Sequence, residues 1–600
     1  RIKLYMTQNL ELAVIGNCSI NALIDEAGSI TWACFPRFDA DPTFCSLLNG
    51  GSQAKHGFFD ILMNAKTSSK QAYVSNTAIA STEITDENRQ VLEIIDFAPR
   101  FEQFGRMFRP TSLVRKIRPI KGIPQICIRL RPCSEYGAML PTKTLGSNHI
   151  RFSLSNITLR LTTNAPITYI NEEVWFALED EITLILGPDE SITEPVSSLG
   201  QEFLDKTKAY WRNWCRGLSI PFEWQDAVIR AAITLKLSSF EDTGAIIAAP
   251  TTSIPEAPGS ERNWDYRFCW LRDSYFVVKA LNSLGATETM EDYLSYISNI
   301  VATAGSDDLQ PLFGINLEKV ITEEVKQNLI GYNSTGPVRI GNDAFKQVQN
   351  DGYGSVILSC AQIFFDKRIK TPYSEKLVEN LEYLGGKASV KWCEPDAGLW
   401  ELRTRAEVHT FSSVMCWAAC DRLAKIFEQL GQPSKQAHWQ SKAATIRKET
   451  LQQAWNRDLN SFTDVFGGDS VDASLLLLPE LGFIKATDPR FKTTFKLIES
   501  ELLNGSYLKR YHRTDDFGKP QTSFNICTFW YINTLDALGR HNEARGLFEN
   551  MLEKRTKLGL LSEDIDLGTK KLWGNFPQTY SMVGIIMSAS KLSKSWEKAF

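Results

Sequence analysis

Three stretches in the C-terminal two thirds of the chain concentrate tryptophan, tyrosine, arginine and carboxylates: ERNWDYRFCWLRD (Glu261–Asp273), EPDAGLWELR (Glu394–Arg403) and LLSEDIDLGTKKLWGNFPQ (Leu560–Gln578). Such a mixture is unusual in a helical core. Aromatic faces stack on the C–H surfaces of pyranose rings, while Arg, Asp and Asn make paired hydrogen bonds to vicinal hydroxyls. A carbohydrate site needs both. Glycosidic cleavage further needs two carboxyls, one acid to protonate the leaving oxygen and one carboxylate to activate water. Glu401 lies against Trp400, an apolar neighbour of the kind beside which a carboxylic acid keeps its proton, and Glu563 stands in a separate acidic run with Asp564 and Asp566. Any one of these aromatics could equally be helix packing and a lone Glu a solvated surface group, so residue type alone does not select these two among 70 acidic residues.

The elements that must carry these residues change character along the chain. From about Leu12 to Ile192, short runs rich in β-branched and aromatic residues, among them ICIRLRP, ITLRLTTN and ITYINEEVWFAL, are separated by turn formers, and Ile157, Leu159 and Leu161 alternate in period two. This predicts an antiparallel β-sandwich. After about Gln201 the period becomes helical: Val228, Ala232 and Leu235 share one face, Leu271, Tyr275, Val278, Leu281 and Leu284 another, and Val414, Trp417, Cys420, Ala424 and Phe427 a third. Further helical stretches run from Ser474 to Leu478, Phe524 to Leu538 and Tyr580 to Leu592. The helical part is long enough for about twelve helices. The absence of a fixed repeat disfavours a solenoid and leaves a closed double ring, whose loops converge on one face.

The whole chain has 600 residues, 66 Lys plus Arg against 70 Asp plus Glu, and a formal charge of −4. That balance, with no long basic run, gives no footprint for nucleic acid or anionic membrane. The 12 cysteines show no CxxC and no Cys/His clustering, so neither a disulfide framework nor a structural zinc site is indicated, and no metal or other cofactor is expected. No apolar run is long enough for a membrane span, and the N-terminus lacks the pattern of a signal peptide, which reads as a cytoplasmic protein. The oligomeric state is not legible.

An ordered series of motifs resembles glycoside hydrolase family 15, the glucoamylase-like inverting enzymes, over nearly the whole length. It comprises LAVIGNCSINALIDEAGSITWACFPRFDADPTF, GAIIAAPTTSIPEAPGSERNWDYRFCWLRDS, GYNSTGPVRIGNDAFKQVQNDGYG, PDAGLWELR, VDASLLLLPELGF and SEDIDLGTKKLWGNFPQTYS. The resemblance implies an N-terminal β-sandwich (residues 1–200), a helical linker (201–222) and an (α/α)6 barrel (223–600). It also implies that Glu401 is the general acid and Glu563 the general base, and that Arg272 and Asp273 hold the terminal glucose in the innermost subsite. Arg510 matches a further sugar-binding arginine, Asp265 and Tyr266 residues of the pocket floor, and Trp270 and Trp400 wall aromatics; Asp351 is a weaker match. Arg272 and Asp273, although adjacent, both reach one sugar if they sit at a helix end, because mid-helix neighbours diverge.

The sequence departs from the fungal glucoamylase pattern, which has a second carboxylate directly after the acid and an aspartate three residues before it; here Leu402 and Gly398 occupy those places. The residue after the acid contacts the leaving sugar, so this bears on linkage more than on reaction class. The leading expectation is an exo-acting enzyme releasing β-glucose from α-glucans such as starch or glycogen; the alternatives are a trehalase acting on a glucose disaccharide and a non-catalytic carbohydrate-binding protein. His409 is a weak further candidate for substrate contact, and Cys269 and Cys393 lack a partner that would activate a thiol.

Overall fold

A computed structural model describes residues 8–304, 308–369 and 373–600. Its N-terminal part is two packed antiparallel sheets. The first runs Leu12–Gly16, Asn21–Asp25, Ile30–Cys34, Phe58–Met63, Gln125–Arg131, Phe176–Ala177, with Pro42–Phe44 branching from the third strand. The second has eight strands, ordered Thr142–Leu145, His149–Ser153, Thr158–Thr163, Ile182–Pro188, Leu113–Lys121, Val91–Phe97, Ala80–Asp86, Lys66–Tyr73. Between the sheets the Arg115 guanidinium binds Asp96 of the second sheet at 2.7 Å and donates to the Phe59 carbonyl of the first at 2.6 Å, pinning their register.

The first sheet is buried on both faces. Ala13, Ile15, Ala22 and Ile24 point into the sandwich core, whereas Leu12, Val14, Leu23 and Trp32 point into the core of the helical domain. This is why LAVIG reads as one continuous apolar run, where a sheet with one wet face would alternate. One expected strand is not one. Ile167–Asn171 of ITYINEEVWFAL forms a short helix behind Pro166, and strand returns only at Phe176–Ala177. Pro166 (φ −58°) presets the first turn, and Ile167 and Ile170, three apart, are the pair that is buried, which a strand could not place on one side.

A long helix, Val196–Arg216, leaves the sandwich and buries Trp211, whose ring meets those of Tyr210 and Trp214 edge-on. Then come two concentric layers. The inner ring is Leu271–Ser283, Asp351–Cys360, Thr410–Gln429, the 3-10 turn Ala473–Leu477, Asn525–Ala537 and Thr579–Leu592, each packed on the next and the last on the first. The outer helices are Gln225–Leu237, Glu288–Ala304, Glu375–Lys391, Pro433–Gln453, Pro489–Leu502 and His541–Glu553. This is the (α/α)6 barrel. The inner elements are sheathed by neighbours, so their buried residues occupy almost every position rather than a stripe. The loops that enter the inner helices at their N-termini gather at one end of the ring. No helix among the described residues is long and apolar enough to cross a membrane.

Candidate active site

Glu401 and Glu563, 162 positions apart in the chain, line the same cavity, a cleft of about 930 Å³ including its mouth. Glu401 sits in a tight turn before the helix Thr410–Gln429, with its own backbone left-handed (φ 58°) and its amide donating to the Gly398 carbonyl at 3.2 Å. Three donors converge on its Oε1: Trp270 Nε1 at 2.6 Å, Gln349 Nε2 at 3.2 Å and Arg272 Nη2 at 3.5 Å. The side chain is a quarter exposed, so the other oxygen is left to the cavity.

Glu563 is fully buried on the approach to the helix Thr579–Leu592, beside the strand Asp564–Asp566. The Tyr266 hydroxyl donates to its Oε1, and its Oε2 has no protein partner. Burial pushes its carboxyl well above the usual range, and the neighbouring carboxylates Glu256 and Asp564 push the same way; the Tyr266 hydrogen bond and the Arg510 charge oppose them. Gly574 lies over it with φ +81°, and a Cβ there would stand 2.6 Å from that of Glu563, so the GNFPQ segment needs glycine to close on this carboxyl.

Arg272 and Asp273 occupy the first turn of the helix Leu271–Ser283 and both line the cavity. Arg272 is fixed by Gln349 Oε1 at 2.8 Å and Asp351 Oδ2 at 3.1 Å. Burial raises Asp273 to about 7 against an ordinary 3.8, the Arg272 charge opposing and the Glu401 and Asp351 charges adding. Arg510 also lines the cavity and donates to Glu256 Oε2 at 2.6 Å. Trp400 lines the wall and turns its indole N–H to Asp472 Oδ2 at 2.7 Å. Tyr266, which bonds Glu563, and Trp270, which bonds Glu401, stand edge to face with their rings 5.5 Å apart.

Two expected lining residues stand behind the wall. Asp351 supports Arg272 from below, and Asp265, expected on the floor, has both carboxylate oxygens bound by Arg267 at 2.8 and 2.9 Å and also receives the Gly341 amide. A carboxylate buried beside a guanidinium two residues away has too many bonding partners inside the protein to face a sugar. His409 is likewise buried, its Nδ1 2.8 Å from Asp396 Oδ1, and its ring fills the space a Cβ on Gly398 (φ +70°) would need, 2.8 Å away. That contact explains why Gly398 stands where the fungal pattern has aspartate.

The structure adds residues that the sequence did not single out. Glu256 joins Arg510 to the Trp264 indole, and its only sequence signal is an acid inside a proline-flanked loop. At the mouth, Asp515 binds Arg262 at 2.5 Å, Asp516 accepts the Arg403 amide at 2.6 Å and the Thr404 hydroxyl, and the Arg403 guanidinium lies 4.5 Å above the Trp264 ring. Phe517 meets Trp264 edge-on at 5.0 Å. Arg262, Trp264 and Arg403 belong to the aromatic and charged stretches noted above, whereas Asp515, Asp516 and Phe517 come from a loop with no such local pattern. Among the described residues no group of three or more His, Cys, Asp or Glu is arranged to hold a metal ion.

Comparison with known proteins follows the same division of the chain. The family described as Glycosyl hydrolases family 15 matches residues 224–590, and that described as Trehalase-like, N-terminal matches residues 7–177. A protein named Trehalase from Thermoplasma volcanium is 33% identical over 606 aligned positions, covering 97% of this chain and 93% of the relative. Another of that name, from Mycolicibacterium smegmatis, is 30% identical and covers 98% of this chain and 91% of its own. Among solved structures, a bacterial glucoamylase complexed with acarbose superposes with a TM-score of 0.67 at 14% identity, covering 98% of this chain and 94% of that one, which shows a shared fold.

Proposed function

This chain belongs to glycosyl hydrolases family 15 and is a glycoside hydrolase, and from that premise we propose that it is an inverting trehalase, with Glu401 as general acid and Glu563 as general base. The observation that carries the substrate is the full-length similarity to proteins named Trehalase, at 28–33% identity over 96–98% of the chain. It reverses the order of the sequence expectations, putting the disaccharide ahead of the α-glucans. The mouth supports the same reading. Arg262, Arg403, Asp515, Asp516 and Phe517 line the cleft with Glu401 and are tied to one another or to Trp264 by polar and ring contacts, a fixed wall that suits a small sugar better than a polymer. Leu402, buried where the fungal pattern has a carboxylate, gives the leaving glucose an apolar neighbour.

In this mechanism one glucose of trehalose lies against Arg272 and Asp273, and Glu563 Oε2 takes a proton from a water that attacks its anomeric carbon. As the C1–O bond breaks, the free oxygen of Glu401 gives its proton to the glycosidic oxygen. The attacked sugar leaves as β-glucose and the other, whose own anomeric bond is untouched, as α-glucose. Two carboxyls and one water balance the reaction.

Anomer-resolved NMR of products from trehalose, maltose, maltotriose and isomaltose tests the proposal. Equal initial amounts of α- and β-glucose from trehalose alone, lost in Glu563→Gln, are expected. β-Glucose from the maltooligosaccharides instead would return the enzyme to the α-glucan reading.

A further inference from the structure

The catalytic base is tied to the N-terminal domain by a chain of buried polar contacts. Tyr266, whose hydroxyl meets Glu563, follows Asp265, and Asp265 is gripped on both oxygens by Arg267. The rest of the Arg267 guanidinium reaches out of the barrel: Nη1 donates to the Ala40 carbonyl at 2.9 Å and lies 3.6 Å from Cys34 Sγ, and Nη2 donates to the Tyr136 hydroxyl at 3.2 Å. Arg267 is 1% exposed.

The segment presenting Tyr136 is itself held under strain. Glu135 and Tyr136 are both left-handed, at φ 53° and 56°, followed by Gly137 at 82°. The Asp41 carboxylate accepts the backbone N–H of Glu135 and, at 2.8 Å, that of Tyr136. Consecutive non-glycine residues in this region persist only where the surroundings over-determine them, and such strain clusters at functional sites. Elsewhere the sandwich meets the barrel through apolar packing by Leu12, Val14, Leu23, Trp32 and Phe38 and through further polar contacts, among them Arg100 to Glu241, Arg37 to Glu318 and the Trp32 indole to the Pro250 carbonyl, but these do not lead to the Asp265–Tyr266 segment. A buried ion pair contributes little to stability relative to apolar packing, but it fixes geometry.

We propose that the β-sandwich is a working part of the active site, with Tyr136 and Arg267 acting as positioning residues that hold the Asp265–Tyr266 segment, and through the Tyr266 hydroxyl the base Glu563, in place. The proposal rests on the reading of Glu563 as the base. Neither positioning residue touches the cavity, so each acts on the chemical step rather than on sugar binding. The Tyr266 hydrogen bond favours ionised Glu563, so loosening it moves loss of the base to higher pH.

The test is Tyr136→Phe, which keeps the ring and removes only the hydroxyl, together with Arg267→Lys, which keeps the charge but cannot span both oxygens of Asp265. Each is assayed by full pH profiles of kcat and kcat/KM and by thermal melting. For Tyr136→Phe we expect an unchanged melt, an unchanged KM, a kcat lower by about tenfold, the worth of one ordinary hydrogen bond, and an acid limb displaced upward; Arg267→Lys should show a larger displacement. Wild-type kcat and acid limb in Tyr136→Phe would overturn the proposal, as would Arg267→Lys activity that falls only in step with the folded fraction. If the wild type cleaves maltose or isomaltose instead, the trehalose reading fails and the same profiles are read on that sugar. Activity surviving Glu563→Gln would remove the base assignment and this proposal with it.

Discussion

Trp270 donates its indole N–H to Glu401 Oε1 at 2.6 Å, and Gln349 and Arg272 bond the same oxygen, so Glu401 is held by one oxygen and the proposed acid role falls to the other. Removing the carboxyl and removing its support therefore differ in degree. Glu401→Gln should lower kcat by on the order of a thousandfold, the upper part of what general acid catalysis supplies. Trp270→Phe, which keeps the wall but not the donor, should cost about tenfold. Similar losses from both would mean that Trp270 acts on the sugar directly.

The acid limb of the kcat/KM profile should lie above the ordinary carboxyl range, because burial and the Glu256 and Asp564 charges raise the Glu563 pKa and the base works only when ionised. Tyr266→Phe removes a hydrogen bond that lowers this pKa, so its limb should move to still higher pH. A limb that stays fixed in Tyr266→Phe would show that another group sets it.

Asp273 offers a stability test. Its folded pKa of about 7 exceeds the ordinary 3.8, so the folded state binds the extra proton between those values, and the group's contribution to stability is full below about pH 4 and lost as pH rises through 7. Asp273→Asn should thus melt higher than wild type at pH 8 and converge with it near pH 4, while binding sugar poorly. Differential scanning calorimetry across this window checks both points.

Restoring the fungal residue before the acid should fail. Gly398→Asp forces a side chain onto a left-handed backbone, costing about 1–2 kcal/mol, and sets its Cβ 2.8 Å from the His409 ring. A lower Tm and a lower kcat are expected together, since the turn that carries Glu401 must shift.

Opening the mouth should weaken binding more than chemistry. Phe517→Ala removes the ring that packs on Trp264 beside Arg403, and KM for trehalose should rise by roughly tenfold, the worth of one good aromatic contact, with kcat little changed. New activity on maltotriose would show that this ring also sets substrate length.

Much of the fold was legible because its signals are local. Period two along Ile157–Leu161 and period 3.6 along Leu271–Leu284 report which side of an element is buried. Alternation is absent where burial is not one-sided, as in the strand Leu12–Gly16 with a core on each face, and the strand expectation failed where proline started a helix in a β-branched run at Ile167–Asn171. The site was legible through motif order, which selected Glu401, Glu563, Arg272, Asp273 and Arg510 as residues that line one cavity. Motif order could not tell a lining carboxylate from a supporting one, so Asp265 was expected on the floor, although Arg267 holds it behind the wall.

By itself the sequence determined the two-part architecture, the family and the residue types that glycosidic cleavage demands, because hydrophobic periodicity and contiguous motifs are written along the chain. Only the tertiary structure decided which oxygen of each glutamate is held, that Glu256, Gln349 and the Asp515–Phe517 segment join the site, and that Tyr136 in the sandwich reaches Arg267, which grips Asp265 next to Tyr266. Those relationships depend on hydrogen-bond distances between residues tens to hundreds of positions apart, and closing the ring is what brings them within reach.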